Sequence, residues 1–405
     1  MADAAARPVA GGEDGANHRA RPTERVLLVA SGALGAISPI LARAGSDPED
    51  AAPLVSGLML AIAALAGLAL APRSRALAAL LPGVVSSLVA WRLLDALGPA
   101  GDASAVVGPA FWLQVVGAWL MAWATVERLA AIEPGRAGSG GGRGGGRWAR
   151  TLTNLLIPLL FGAWLLLLWE FVTRGLGVPQ VLLPAPSVIA ERFAGSTSIL
   201  WADFRQTFLK AVLIGYALGC GAGFLVAILI DRSAFLKRGL LPIGNLVSAL
   251  PIVGVAPIMV MWFGFDWPSK AAVVVVMTFF PMLVNTVSGL AAAGPMQRDL
   301  MRTYAASYVQ DLVKLRLPEA MPFVFNALKI NSTLALIGAI VAEFFGTPTV
   351  GMGFRISTEV GRMNVDMVWA EIAVAALAGS AFYALIALLE RATTFWHPSV
   401  RRADT

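Results

Sequence analysis

The chain has 405 residues, 57% of them hydrophobic and only 14% charged, with a mean hydropathy of +0.72. That balance excludes a soluble globular protein and points to helices crossing a bilayer, where each backbone polar group must be satisfied within its own segment. The net charge of +6, from 31 basic and 25 acidic residues, does not mark a nucleic-acid binder, because the basic residues collect in alternate loops.

Residues 1–25 are rich in Ala, Gly and charge and predict a disordered tail on the cytoplasmic side. Four apolar runs follow, near 26–43, 53–71, 76–97 and 105–132. The loops between them alternate: 45–50 is acidic, 72–75 basic, 98–102 free of basic residues, and 128–150 holds five arginines. Positive-inside logic puts the N-terminus, 72–75 and 128–150 in the cytoplasm. Residues 26–132 are therefore read as a four-helix membrane module to which composition assigns no role. The Gly/Arg-rich stretch 133–149 predicts a flexible linker. It lacks the Gly-Lys-Ser/Thr ending of a phosphate-binding loop.

A second module, 150–405, opens with an apolar run at 152–172, then LLPAPSVIAERF (182–193), which predicts a short surface helix capped by Ser187. The run 207–230 carries Gly215, Gly219 and Gly223, a spacing of four that permits close helix approach. Run 240–263 is interrupted by Pro242, Pro251 and Pro257, and run 271–292 contains Pro281 and Asn285. Run 323–346 carries Asn326, Lys329, Asn331 and Glu343, an outer loop is expected over 346–366, and the last crossing is 367–390. Ten crossings in all place both termini in the cytoplasm. Cys220 stands alone, and His18 and His397 lie in polar flanks, so neither a disulfide nor a metal or other cofactor site is expected.

The most polar long run of the second module is 298–322, RDLMRTYAASYVQDLVKLRLPEAMP. Leu300, Met301, Tyr304, Tyr308, Leu312 and Leu315 recur at near-helical spacing, predicting an amphipathic helix, a break at Pro318 and a second helix from Pro322. A basic amphipathic segment between two crossings suits docking to a cytosolic partner or to lipid head groups.

This stretch resembles the cytoplasmic coupling loop of permease subunits in binding-protein-dependent ABC importers. Asp299, Leu300 and Met301 fall on that loop's Glu-Ala-Ala, Ala305 on its glycine, and Leu317-Pro318 on its closing Leu-Pro. With Ala at the glycine position, a positive φ there costs energy. Five further patches, LLPAPSVI, ALPIVGVAPIMVMWFGF, FFPMLVNTVSGL, GAIVAEFFG and ERATTFWHPS, resemble permeases for nitrate, taurine, alkanesulfonates and pyrimidine precursors. The resemblance implies an all-α type I importer permease bundle, preceded here by about four extra transmembrane helices.

It also implies a multi-pass inner-membrane subunit without catalytic residues, working as a homodimer with two copies of a separate ATPase and a substrate-binding protein. Asp299, Tyr304, Ala305, Ala306 and Ser307 would begin the docking helix, and Leu317 and Pro318 would fix its exit. Arg302, Lys314 and Arg316 either pair with acids on the partner or enforce orientation. Asn285, Asn326, Lys329, Asn331 and Glu343 are the candidates for the translocation path, since polar groups at membrane depth face a neighbour or a cavity. An ATP-independent secondary transporter or a membrane scaffold is the competing reading.

Overall fold

The computed structural model describes residues 22–43, 52–70, 75–97, 108–131, 145–248, 250–346 and 349–395. The expectations for the N-terminal tail, the three loops of the first module, most of the Gly/Arg linker and the C-terminal tail after 395 therefore fall outside the described residues. The described residues are mostly helical, with no strand among them.

Two compact units divide the chain, one ending at Val188 and the other beginning at Ile189. The first holds α1 (Pro22–Arg43), α2 (Ala52–Leu70), α3 (Arg75–Ala96), α4 (Pro109–Ala131) and α5 (Gly145–Gly175). The first four answer the four apolar runs. Small residues let them close on one another: a Cβ on Gly35 would lie 2.7 Å from the Gly57 carbonyl. Leu60, Val89, Met121, Trp164 and Phe171 form the core of this unit, so α5 packs with the N-terminal helices. Aromatic edges make that contact, with Trp119 against Trp164 at 6.0 Å and Phe111 against Phe171 at 5.9 Å. Helix α6 (Pro186–Gly195) starts where expected, but Ser187 is not its cap. The Ser187 N–H and hydroxyl both donate to the Glu170 carboxylate, at 2.9 and 2.6 Å, and that carboxylate serves the helix start instead.

In the second unit a single helical span runs from Thr197 to Arg232: α7 (Thr197–Phe204), a π-helical stretch (Arg205–Val212) and α8 (Leu213–Arg232). It packs along α11 (Trp267–Ala291) on the three predicted glycines, all buried. An added Cβ would lie 2.6 Å from Val274 Cβ at Gly215 and 2.5 Å from the Phe279 carbonyl at Gly223. Helix α14 (Leu317–Glu343) lies against the other side of α11, and α16 (Val365–Thr393) against α14. The core holds Phe208, Val274, Phe325, Leu336 and Phe382.

Two expectations need correction, and a third holds in part. The run 240–263 is interrupted as expected, but at Pro251 alone of its three prolines: Pro242 lies inside α9 (Ala234–Ser248) and Pro257 inside α10 (Ile252–Phe263). Pro251, extended at φ −68°, ψ 121°, cannot continue a helix and caps the second one. The expected outer loop 346–366 contains a helix, α15 (Met352–Gly361), set by side chains of other helices. Finally, the helix is not broken at Pro318. α13 (Tyr308–Asp311), a π-helical turn (Leu312–Arg316) and α14 form one continuous span of 36 residues. The Leu317 N–H reaches back five residues to the Leu312 carbonyl, and this wider turn absorbs the N–H that Pro318 withholds.

Among the described residues six helices are long and apolar enough to cross a membrane: 109–128, 157–175, 197–232, 267–291, 308–343 and 365–393.

Candidate functional site

Between α11 and the long span beginning at Tyr308 lies α12 (Pro295–Thr303). Pro295 occupies its first turn, where a missing N–H is harmless, and the Gly294 N–H donates to Gln297 Oε1 at 2.8 Å. No residue of α12 is buried. Met296, Leu300 and Tyr304 are 84%, 57% and 78% exposed, and their spacing of four puts them in one uncovered apolar stripe. Asp299 and Arg302 pair at 3.4 Å in the open, an ion pair of little energetic weight.

The break that sequence placed at Pro318 lies instead at Tyr304–Ser307. The Ala306 N–H donates to the Met301 carbonyl at 3.0 Å and the Ala305 N–H to the Arg302 carbonyl at 2.9 Å. That pair of bonds is the Schellman closure, and it requires a left-handed residue at position 305. Ala305 supplies it at φ 50°. Ser307 then starts α13 with a reciprocal cap, accepting from the Gln310 N–H at 3.4 Å and donating its own N–H to Gln310 Oε1 at 2.9 Å. A left-handed alanine costs about 1 kcal/mol. Ala305→Gly is therefore expected to slow hydrogen exchange across 304–308, with an opening free energy up to about 1 kcal/mol higher. Faster exchange in the variant would count against a strained Ala305.

Of the three cations left open by sequence, Arg302 and Lys314 are exposed, while Arg316 is turned inward and 9% exposed. Its Nη1 and Nη2 donate to the Asp231 carboxylate at 2.6 and 2.5 Å, and its Nε donates to the Leu290 carbonyl at 3.0 Å. Tyr308 Oη donates to the same carboxylate at 3.1 Å. Arg298 Nη2 donates to the carbonyls of Leu290 and Ala291 at 3.2 and 3.0 Å, satisfying the open end of α11. Arg316 thus ties the segment inward to the ends of α8 and α11.

The opposite end of the bundle holds a second polar group. Asp203 accepts from the Gly351 N–H at 2.6 Å and Arg355 Nε at 2.9 Å. Glu343 accepts from the Thr207 hydroxyl at 2.8 Å and the Gly353 N–H at 2.7 Å, while the Met352 N–H donates to Thr207 Oγ1 at 2.8 Å. Three successive N–H groups of the α15 start are thus held by side chains of other helices. Lys270, 1% exposed, donates to the carbonyls of Phe265 and Gly346. Beside it, Asp266 accepts from the Trp267 N–H and from Gln206, which hold its carboxyl below the ordinary carboxylate range. Asp203, Thr207 and Lys270 were not foreseen as members of one group with Glu343. Nothing in their spacing joins them.

The path candidates scatter. Glu343 belongs to the group just described. Asn331, fully buried, donates to the Thr278 carbonyl at 2.8 Å and to Cys220 Sγ at 3.2 Å, tying α14 to α11 and α8. Lys329 pairs with Glu390 at 2.7 Å, and Asn285 donates back to the Pro281 carbonyl at 2.8 Å. Asn326 lies on an exposed face. A cavity of about 120 Å³ between α10, α11 and α14 is lined only by apolar residues, among them Val255, Met277 and Leu334.

The second unit is thus a helical bundle with membrane-length spans and an uncovered amphipathic helix between two of them. The family model of the binding-protein-dependent transport system inner membrane component matches residues 215–401. A probable ABC transporter permease protein of Haemophilus influenzae is 32% identical over 219 residues, covering 54% of this chain and 89% of that protein. The formylaminopyrimidine transport permease protein of Halalkalibacterium halodurans is 32% identical over 241 residues, covering 60% and 96%. The taurine transport system permease protein of Escherichia coli is 28% identical over 258 residues, covering 62% and 91%. The chain belongs to the inner-membrane permease components of binding-protein-dependent ABC importers.

Proposed function

We propose that this chain forms the translocation path of an ATP-driven importer for a small solute delivered by a substrate-binding protein. The solute is of the kinds the relatives are named for: a formylaminopyrimidine, riboflavin, an aliphatic sulfonate, taurine or bicarbonate. Two permease copies pair around the path, and two copies of a separate ATPase subunit bind their cytoplasmic face. Both termini share that face, at the inner membrane. One observation carries this reading: α12 exposes an apolar stripe of Met296, Leu300 and Tyr304, beside a rigidly closed turn at Ala305, in a loop between two membrane spans.

Asp299, Arg302, Tyr304, Ala305, Ala306 and Ser307 form the docking surface, and Leu317 and Pro318 carry it into α14. The apolar cavity and the exposed Asn326 border the path. An apolar lining desolvates a charged solute without repaying the cost, so selection falls to the binding protein.

Co-expression with a candidate ABC ATPase subunit from the same organism tests the assignment. Wild type is expected to co-purify with that subunit. Leu300→Asp with Tyr304→Asp buries two unpaired charges in the contact and is expected to weaken association at least about 100-fold. Unchanged association in the double variant would sink the assignment of α12 as the docking surface.

A further inference from the structure

Three helix ends meet at one guanidinium. Arg316 stands on the π-helical turn before α14, its Nη atoms grip Asp231 at the end of α8, and its Nε grips Leu290 at the end of α11. A planar fork held at three points has little freedom to rotate. Asp231 also accepts from Tyr308 at the start of α13, so one carboxylate fastens both ends of the 308–316 stretch. The Arg232 guanidinium lies 5.6 Å from the Tyr308 ring centroid and covers that contact. α8 in turn has no slack against α11, because their shared seam is closed on glycine.

We propose that the Asp231–Arg316 pair is the rigid joint that carries motion of the 295–316 segment into α8 and α11. Asp231 and Arg316 are then positioning residues for transport. The proposal rests on the reading of α12 as the ATPase dock. Without the joint, the docking segment moves while the helices lag behind.

The test uses the full chain in nanodiscs with its ATPase, in a Cys220→Ser background. Spin labels at Val309→Cys on α13, an exposed position outside the cap, and Ile214→Cys on α8 report the separation with and without ATP and vanadate. In the wild-type joint the separation is expected to stay fixed on trapping. In Asp231→Asn it is expected to shift or broaden by about 2 Å or more, while ATP hydrolysis stays within about twofold. Asp231→Glu, which keeps the charge, should restore the fixed separation and show that the asparagine variant is folded. A shift already present with Asp231 in place, or none in Asp231→Asn, overturns the joint. Failure of the wild-type chain to bind the ATPase overturns the docking reading instead.

Discussion

Asp203→Ala is expected to lower the melting temperature in detergent by roughly 6–12 °C, a loss of about 3 kcal/mol. The Asp203 side chain is fully buried and holds two donors from the α15 region: the Gly351 N–H at 2.6 Å and Arg355 at 2.9 Å. Removing it strands a buried N–H and leaves a cation without its counter-charge. Breaking a buried pair costs about 3–5 kcal/mol, and the lower figure applies because the Arg355 side chain keeps access to water. Asp203→Asn keeps an acceptor for Gly351 and is expected to lose about half as much. Limited proteolysis should cut near 349–355 far sooner in the alanine variant. A melting point within about 2 °C of wild type would show that α15 is held some other way.

Gly219→Leu is expected to abolish the folded second unit. A Cβ there would lie 2.1 Å from Thr278 Oγ1 and 2.9 Å from the Val275 carbonyl, on the rigid backbone of α11. Overpacking costs about 1–3 kcal/mol where neighbours can yield, and here helix backbone has to yield. The same seam positions Thr278, whose carbonyl receives Asn331, so the clash also breaks the tie between α11 and α14. Gly221→Leu on the same helix is the control, since nothing lies within 4 Å of its Cβ. Expression and monodispersity in detergent read both. Equal recovery of the two variants would refute a glycine-closed seam.

Each end of the second unit uses the same device. The stretch 205–212 presents Thr207 to the start of α15, and the turn 312–316 presents Arg316 to α8 and α11. π-Helical geometry shifts the side-chain register within a helix, so a polar residue can leave the apolar face and reach a loop. No composition or period announces this, because the bonds it changes are backbone bonds.

The amino-acid sequence alone determined the class of protein, the four N-terminal helices, the glycine seam of α8 and the amphipathic character of α12. Each is a local matter: hydropathy over about 20 residues, a spacing of four, a charge run between crossings. Ser307 and Gln310 also spelled out a capping box that the pattern reading passed over. Only the tertiary structure decided where the 298–322 segment turns, at Ala305 rather than Pro318, and which way Arg316 faces. It also assembled Asp203, Thr207 and Glu343 around the start of α15. A buried charge takes whatever partner lies across the helix interface, and interfaces join residues more than 80 positions apart, as Asp231 and Arg316 are.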